Sequence, residues 1–253
     1  MAQVQSVGRA LEILNILTQY SHGVGVTELS NRLDVAKSTT HRLLHTLMKY
    51  NFVSQDPVTE NYKLGTQILY ISNFILENLN IRDIAKARIE ALSRVTNETV
   101  HLCIHENGEV VYVDKVESNQ TIRMHSRIGK RGLMHCTAVG KSILAYLDDN
   151  EVIQILLSKG MEAHTPNTIT DAEQMKKELE IIRKNGYALD NIENEAGIRC
   201  IGAPIFDHYQ KPIAAISISG PESRITLERI ENELIELITS TAYQISRQLG
   251  AIC

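Results

Sequence analysis

The chain has 253 residues, 43% of them hydrophobic and 22% charged, with a formal net charge of −4. That length allows one large domain or two modest ones with a real core, and the acidic balance excludes a wholesale polyanion binder while leaving room for a local basic patch. Apolar runs fall well short of the roughly 18 residues of a spanning helix. The start, MAQVQSVGRALEIL, has no cationic segment leading into an apolar block, so no signal peptide is expected. Cys103, Cys136, Cys200 and Cys253 show no C-x-x-C spacing, which predicts reduced thiols in a cytoplasmic protein and neither a zinc ribbon nor a disulfide scaffold.

In the first third, Val7, Leu11, Leu14 and Leu17 fall on one face of a helix. SHGVG breaks it, and a short helix over VTELSNRL follows. The turn Asp34-Val35-Ala36 leads into KSTTHRLLHTLMKYNFV, whose apolar stripe is Leu43, Leu44, Leu47 and Met48. Ser38, His41, Arg42, His45 and Lys49 line the opposite side of that helix. Between Ala36 and Tyr50 there are three cations, two histidines and no acid. Ser38 or Thr39 is placed to cap the start, whose free N–H groups suit a phosphate. Two short helices joined by a tight turn, the second cationic outside, are the helix-turn-helix plan. Phe52–Ser54 and Tyr62–Leu64, around DPVTEN, predict two strands forming a wing. The bland alternative is a small helical bundle with a solvated basic face; the acid-free face and the hairpin favour DNA.

Leu64, Ile68, Ile71, Ile75 and Leu79 then repeat at helical spacing, a helix apolar enough to want a partner, either a second protomer or its own chain. From Ile81 the pattern becomes mixed. A helix over Ile81–Thr96 precedes ETVHLCIH and EVVYVDKVE, two strands joined at Glu106-Asn107-Gly108. TIRMHSRIG predicts a third strand, and AVGKSILAYL and NEVIQILLS predict helices. Thr170 to Glu173 reads as a capping box for a helix ending at Asn185-Gly186. RCIGAPIFD and PIAAISISG are strands, and a last helix carries Ile230, Leu234, Ile238, Thr241, Ile245 and Leu249. Strand pairs with flanking helices, without regular βαβ alternation, predict an α+β domain on an antiparallel sheet.

HCTAVGKS, residues 135–142, ends like a phosphate-binding loop, but His135 stands where that motif needs its first glycine and no buried strand leads into it. An NTPase is not expected. The hydroxyls of Ser217 and Ser219, two apart on an apolar strand, leave by the same face and suggest a polar pocket rather than a core. His101, Cys103 and His105 alternate on a strand, about 7 Å apart by strand rise, too far for one ion held at about 2 Å. They read as a semi-polar face beneath a helix, and no metal is expected. Cys200, His135 and Asp190 form a nominal catalytic set with nothing to bring them together.

SVGRALEIL, TELSNRLDVAKSTTHRLL, IRMHSRIGKRGLMHCTAVGKSILA, NGYALDNIENEAGIRCIGAPIFD and AAISISGP together resemble an IclR-type transcriptional regulator over Gln5 to about Leu249. Within that family, IRDIAKARIEALSRVTNETVHL and IRMHSRIGKRGLMHCTAVGK are most similar to the KdgR-type subgroup, regulators that sense 2-keto-3-deoxygluconate in pectin and hexuronate breakdown. The resemblance implies a winged helix-turn-helix DNA-binding domain (1–66), a linker helix (67–80) and a GAF-like effector-binding domain (81–253), assembled as a homodimer or homotetramer on double-stranded operator DNA. It implies a repressor rather than an enzyme, with no cofactor beyond a small carboxylate effector. The DNA-contacting positions expected are Arg9, Lys37, Ser38, Thr39, Thr40, His41, Arg42 and His45. The effector's carboxylate is expected on the amides of Ala138 and Val139; the family prefers glycine at the first of these. Asp190, Cys200, Ser217 and Ser219 map onto pocket positions, and Thr121, Met124 and Ile198 onto its wall. A small 2-keto or hydroxy acid fits such a set. The alternatives are another carboxylate (glyoxylate, pyruvate or an aromatic acid), or a ligand sensor that acts through protein partners.

Overall fold

The computed structural model describes residues 4–78, 80–120 and 126–251, and the chain divides into two compact units, Met1–Asn78 and Leu79–Cys253. The first unit holds helices α1 (Gln5–Leu17), α2 (Val26–Leu33) and α3 (Lys37–Lys49), strands β1 (Val53–Gln55) and β2 (Tyr62–Leu64), and α4 (Gln67–Asn78). Its core gathers Ile13, Ile16 and Leu17 of α1, Leu29 and Leu33 of α2, Leu44 of α3, and Val24, Val53 and Tyr62. The C-terminal half of the expected stripe, Leu14 and Leu17, packs into this core together with Ile13 and Ile16, whereas its N-terminal half does not. Val7 and Leu11 are exposed.

Asp34 ends α2 in the left-handed region, and Val35 N–H returns to the Ser30 carbonyl. This closes the turn that sets α3 against α2. The cap expected from Ser38 or Thr39 is absent. Ala36 occupies the N-cap position and gives no side-chain bond. The helix begins one residue before Ser38, so that hydroxyl already sits inside the first turn. The wing pairs β1 and β2 antiparallel, Val53 opposite Leu64. Asp56 closes its turn by accepting from Val58 and Thr59 N–H at 3.0 and 2.9 Å. These bonds hold its carboxyl down at about 2. Val24 bridges to Tyr62 as well, tying the wing to the loop after α1.

The second unit runs α5 (Asn80–Thr96), β3 (Thr99–Glu106), β4 (Glu109–Val116), β5 (Arg131–Leu133), α6 (Ala138–Leu144), α7 (Asp149–Lys159), α8 (Ala172–Asn185), β6 (Ala188–Asn191), β7 (Ile198–Phe206), β8 (Pro212–Pro221), α9 (Leu227–Arg229) and α10 (Ile235–Gln248). Its strands form one antiparallel sheet in the order β5-β4-β3-β8-β7-β6. Alternation along each strand divides the side chains between two layers. Ile216 and Ile218 of β8 join Leu102, Ile201 and Ala203 under α5 and α10. On the other face, Ala215 and Cys103 join Val139, Ile143 and Leu144 of α6 and Met175 and Leu179 of α8. The third strand expected over residues 121–129 is not found where it is described: 126–130 carry no strand, and the strand is β5, starting at Arg131. Residues 121–125 lie outside the described residues. The last helix is interrupted by a π-helical turn over Ile230–Leu234, which keeps Ile230, Leu234 and Ile238 all in the core. The cap of α8 is Asp171, whose side chain accepts from Gln174 N–H, rather than Thr170. Among the described residues no helix is long and apolar enough to cross a membrane.

Glu98, buried at the β3 end of the sheet, accepts from Arg224 at 2.8 and 2.7 Å and from Arg229 at 3.2 Å. It links the strand that precedes the pocket to the segment after β8. Glu98→Ala leaves two half-covered guanidiniums without their anion. It is expected to cost about 3 kcal/mol of stability, read as a lower urea midpoint with an unchanged slope.

Candidate effector site and nucleic-acid surface

Two rows of residues cross the middle of the sheet by register. Asp190 of β6 faces Cys200 of β7, and Cys200 faces Ser219 of β8. One step on, Gly202 faces Ser217, which faces His101 of β3. These positions share the face that α6 covers, and Asp190, Cys200, Ser217, Ser219 and His101 floor a pocket there. Its other lining comes from Tyr112, Ser126, Lys130, Thr137, Ala138, Val139, Asn194, Glu195 and Ile198. The expected pocket residues Ala138, Val139, Asp190, Ile198, Cys200, Ser217 and Ser219 thus meet around one space. Thr121 and Met124 lie outside the described residues.

The roof is the first turn of α6. Thr137 is its N-cap: its hydroxyl accepts from Gly140 N–H at 3.2 Å and donates to the Leu133 carbonyl at 2.7 Å. The amides of Ala138 and Val139 have no hydrogen-bond partner among the described residues. Two glycines allow this approach. A Cβ at Gly202 would lie 2.8 Å from the Ala138 carbonyl carbon, and one at Gly140 would lie 2.4 Å from the Met134 Cα.

Lys141, the lysine of the apparent phosphate-binding motif, does not reach the cavity. It is fully buried, with Nζ 2.6 and 2.8 Å from the two oxygens of Glu193 and 3.3 Å from Glu178. It therefore clamps the β6–β7 loop, and the phosphate-loop reading ends there. In that loop Asp190 Oδ1 accepts from Glu193 and Asn194 N–H at 2.7 and 3.2 Å. Burial nonetheless pushes its carboxyl up to about 7, those bonds offsetting only part of the effect. His101 is driven the other way, to about 3, by burial and then by Lys115 and Lys130. Its ring is neutral, with Nε2 2.7 Å from Ser126 Oγ and Nδ1 3.4 and 3.3 Å from the Ser217 and Ser219 hydroxyls. Tyr112 stacks edge-on against it at 5.1 Å. Burial likewise raises the Cys200 thiol well above its usual value, and His135 bonds elsewhere, to the Glu162 carbonyl at 3.1 Å.

His101 and Tyr112 were missed by sequence reasoning. His101 was read as part of a bland semi-polar face, whereas it stands at the centre of the cavity. The alternation of VHLCIH put it on the correct face. Its pairing with Ser217, 116 residues away, was not legible.

On α3, Lys37, Ser38, His41, Arg42, His45 and Lys49 are exposed, and Thr39 is half-buried. Thr40 is fully buried beneath the helix, its hydroxyl turned to the Ala36 carbonyl, so it cannot touch DNA. An α-helix turns by 100° per residue, which puts Thr40 on the Leu44 side. Arg9 is half-buried on α1. Among the described residues Arg9, Lys37, Arg42 and Lys49 have no ion-pair partner, while Arg32 is held by Glu28 and Lys63 by Asp56. The amides of Lys37 and Ser38 are also unpartnered among the described residues, so the uncapped start of α3 keeps its affinity for an anion.

The Asp190 environment sets a pH dependence. Its folded-state value lies above its unfolded value, so the folded state holds a proton that the unfolded state has lost between about pH 4 and 7. Stability from this group therefore falls as pH rises through that window and levels off above it. Asp190→Asn removes the titration. The variant should gain on the parent by up to about 1.4 kcal/mol per pH unit in the middle of the window, seen as a melting-temperature difference larger at pH 8 than at pH 5.

Comparison with known proteins bears on both surfaces. The IclR helix-turn-helix domain matches residues 6–57, and the bacterial transcriptional regulator IclR C-terminal domain matches residues 73–247. The chain is 37% identical to the HTH-type transcriptional regulator KdgR of Escherichia coli over 250 residues, covering 98% of this chain and 95% of that one. It is 35% identical to XynR of the same organism, covering 99% of each. The crystal structure of the Thermotoga maritima IclR superposes with a TM-score of 0.80 at 39% identity, covering 98% of this chain and all of that one. With its basic recognition helix and its buried polar cavity, the chain belongs to the IclR family and is a DNA-binding transcriptional regulator, not an enzyme.

Proposed function

We propose that the protein is a cytoplasmic repressor whose hold on operator DNA is set by a small hydroxylated carboxylate, with 2-keto-3-deoxygluconate the effector. Residues 1–66 bind DNA, 67–80 link, and 81–253 bind the effector. The observation that carries the small-carboxylate part of this reading is the pocket itself, in which two unpartnered amides at the start of α6 face acceptor and hydroxyl groups. The amides of Ala138 and Val139 take the carboxylate, aided by the helix dipole. Asp190, Ser217, Ser219 and the neutral His101 read keto and hydroxyl oxygens. The similarity to KdgR supports the six-carbon acid. The cavity volume, about 40 Å³, favours a shorter acid such as glyoxylate or pyruvate, since it has room for only a few water molecules. A six-carbon acid requires the wall to move outward.

On the DNA side, Ser38, Thr39, His41, Arg42 and His45 face the major groove, and Lys37 and Arg9 hold phosphates. Exposed Leu69 and Tyr70 on α4 support pairing of two protomers through the linker helix, as a homodimer or a dimer of dimers. The effector then shifts the equilibrium between two arrangements of the DNA heads, by no more than its difference in affinity for them.

The test is fluorescence anisotropy of a labelled duplex carrying the gene's own upstream region, with and without millimolar 2-keto-3-deoxygluconate. Tight binding that weakens with this acid is expected. A response to pyruvate or glyoxylate alone discards the six-carbon effector and keeps the cavity. Binding that is insensitive to salt points instead to a protein partner, because phosphate contacts make affinity fall steeply with salt. Asp190→Ala should abolish the effector response and leave DNA affinity intact. Arg42→Ala should cost about 1–3 kcal/mol in specific binding and relax the preference at one base pair.

A further inference from the structure

Among the described residues the fold brings together one set of metal-ligating groups that sequence spacing did not reveal. His135 and Cys136, buried just before α6, lie beside His164 of the loop between α7 and α8. One donor atom from each falls within 4.8 Å of the others. His164 is exposed at the mouth of this cluster, while the other two are covered.

We propose that His135, Cys136 and His164 form a site for a divalent transition metal of the zinc class, with one coordination position left to solvent or a small ligand. Two imidazoles and a thiolate are a donor set that selects zinc over magnesium or calcium, which prefer oxygen. The His135 ring is already oriented as a ligand. Its Nε2–H donates to the Glu162 carbonyl at 3.1 Å, and the neutral ring then carries its lone pair on Nδ1. Such a backbone carbonyl behind a histidine is the usual support of a metal-bound imidazole.

Cys136 donates its thiol hydrogen to Asn194 Oδ1 at 3.6 Å. It is therefore a thiol until a cation arrives. On binding, the S–H bond breaks, sulfur keeps the electron pair and forms the metal–sulfur bond, and the proton leaves to solvent. His164 needs the largest displacement, and its position allows one. The loop is anchored at Thr168, whose hydroxyl accepts from His164 and Thr165 N–H at 3.0 and 2.9 Å, while the imidazole itself is exposed. A spread of 4.8 Å between donors exceeds what ligands at about 2.0–2.3 Å from one ion allow, so the site closes by an inward swing of this side chain.

The consequence for the protein is local. Cys136 adjoins Thr137, the cap of α6, and Asn194 lines the effector cavity. Metal occupancy withdraws the thiol donor from Asn194 and stiffens the segment that ends at the Ala138 and Val139 amides. The site rests on the donor cluster alone and stands whichever acid fills the cavity.

The experiment uses tag-free full-length protein, stripped with a chelator and titrated with Co²⁺. Expected is saturation at one equivalent per chain, with the intense visible bands of tetrahedral cobalt and a thiolate-to-cobalt charge-transfer band, both bleached by Zn²⁺. Cys136→Ser should remove the charge-transfer band, and His164→Ala should weaken binding by at least about 10-fold. Because His164 is exposed, that variant keeps the fold, checked by its circular dichroism. No cobalt band and no retained zinc in the parent protein would overturn the site. So would binding that His164→Ala leaves unchanged.

Discussion

The first turn of α6 lies so close to β7 that a side chain at position 202 would strike the Ala138 backbone. This approach is the constraint on which the rest of the second unit depends. Glycine at 202 and 140 lets helix and strand meet, and Thr137 caps the turn so that Gly140 N–H is satisfied from within. The two amides left over then have nowhere to point but the cavity. The buried Lys141–Glu193 pair keeps the arrangement in place from the far side, by tying α6 to the β6–β7 loop that carries Asp190. A buried pair of this kind is weak evidence for net stability. Its effect here is positional: it sets where the acceptor Asp190 stands relative to the donors of Ala138 and Val139.

The polar floor of the cavity exploits sheet geometry. Alternate residues of β8 go to opposite layers, so Ile216 and Ile218 complete one core while Ser217 and Ser219 face α6. The neighbouring strands supply Cys200, Gly202 and His101 in register. His101 is held neutral by burial, and its ring joins the two serine hydroxyls to Ser126. The floor of the pocket thus sets hydroxyls and a neutral imidazole beside Asp190, with Lys130 and Glu195 also in its lining. Unpaired polar groups left by an ill-fitting ligand would be costly there.

The first unit solves a different problem with the same economy of charge. Its cations fall into two groups. Arg32 and Lys63 are spent on the fold, bound to Glu28 and Asp56. Arg9 on α1 and Lys37, Arg42 and Lys49 on the outer face of α3 have no ion-pair partner among the described residues, and the α3 cations stand beside a helix start whose first amides are likewise unpartnered. A surface with uncompensated positive charge and free N–H groups is suited to phosphate, and the absence of acids between Ala36 and Tyr50 keeps it so.

Periodicity and punctuation in the sequence determined the helix-turn-helix, the wing, the hairpin at Asn107-Gly108 and the alternation of ISIS, because these are local consequences of side-chain spacing. Resemblance supplied the pocket positions Ala138, Val139, Asp190, Cys200, Ser217 and Ser219. On α1 local pattern placed Leu14 and Leu17 correctly in the core but not Val7 and Leu11, and it missed the helix caps at Ala36 and Asp171 by one to three residues. Burial, not spacing, removed Thr40 from the DNA surface. Only the tertiary structure decided that His101 belongs to the cavity, that Lys141 is a clamp and not a phosphate ligand, and that His164 approaches His135 and Cys136. Each of these depends on contact between segments at least 25 residues apart, and no local repeat encodes such a meeting. It follows from which apolar faces can be buried together at once.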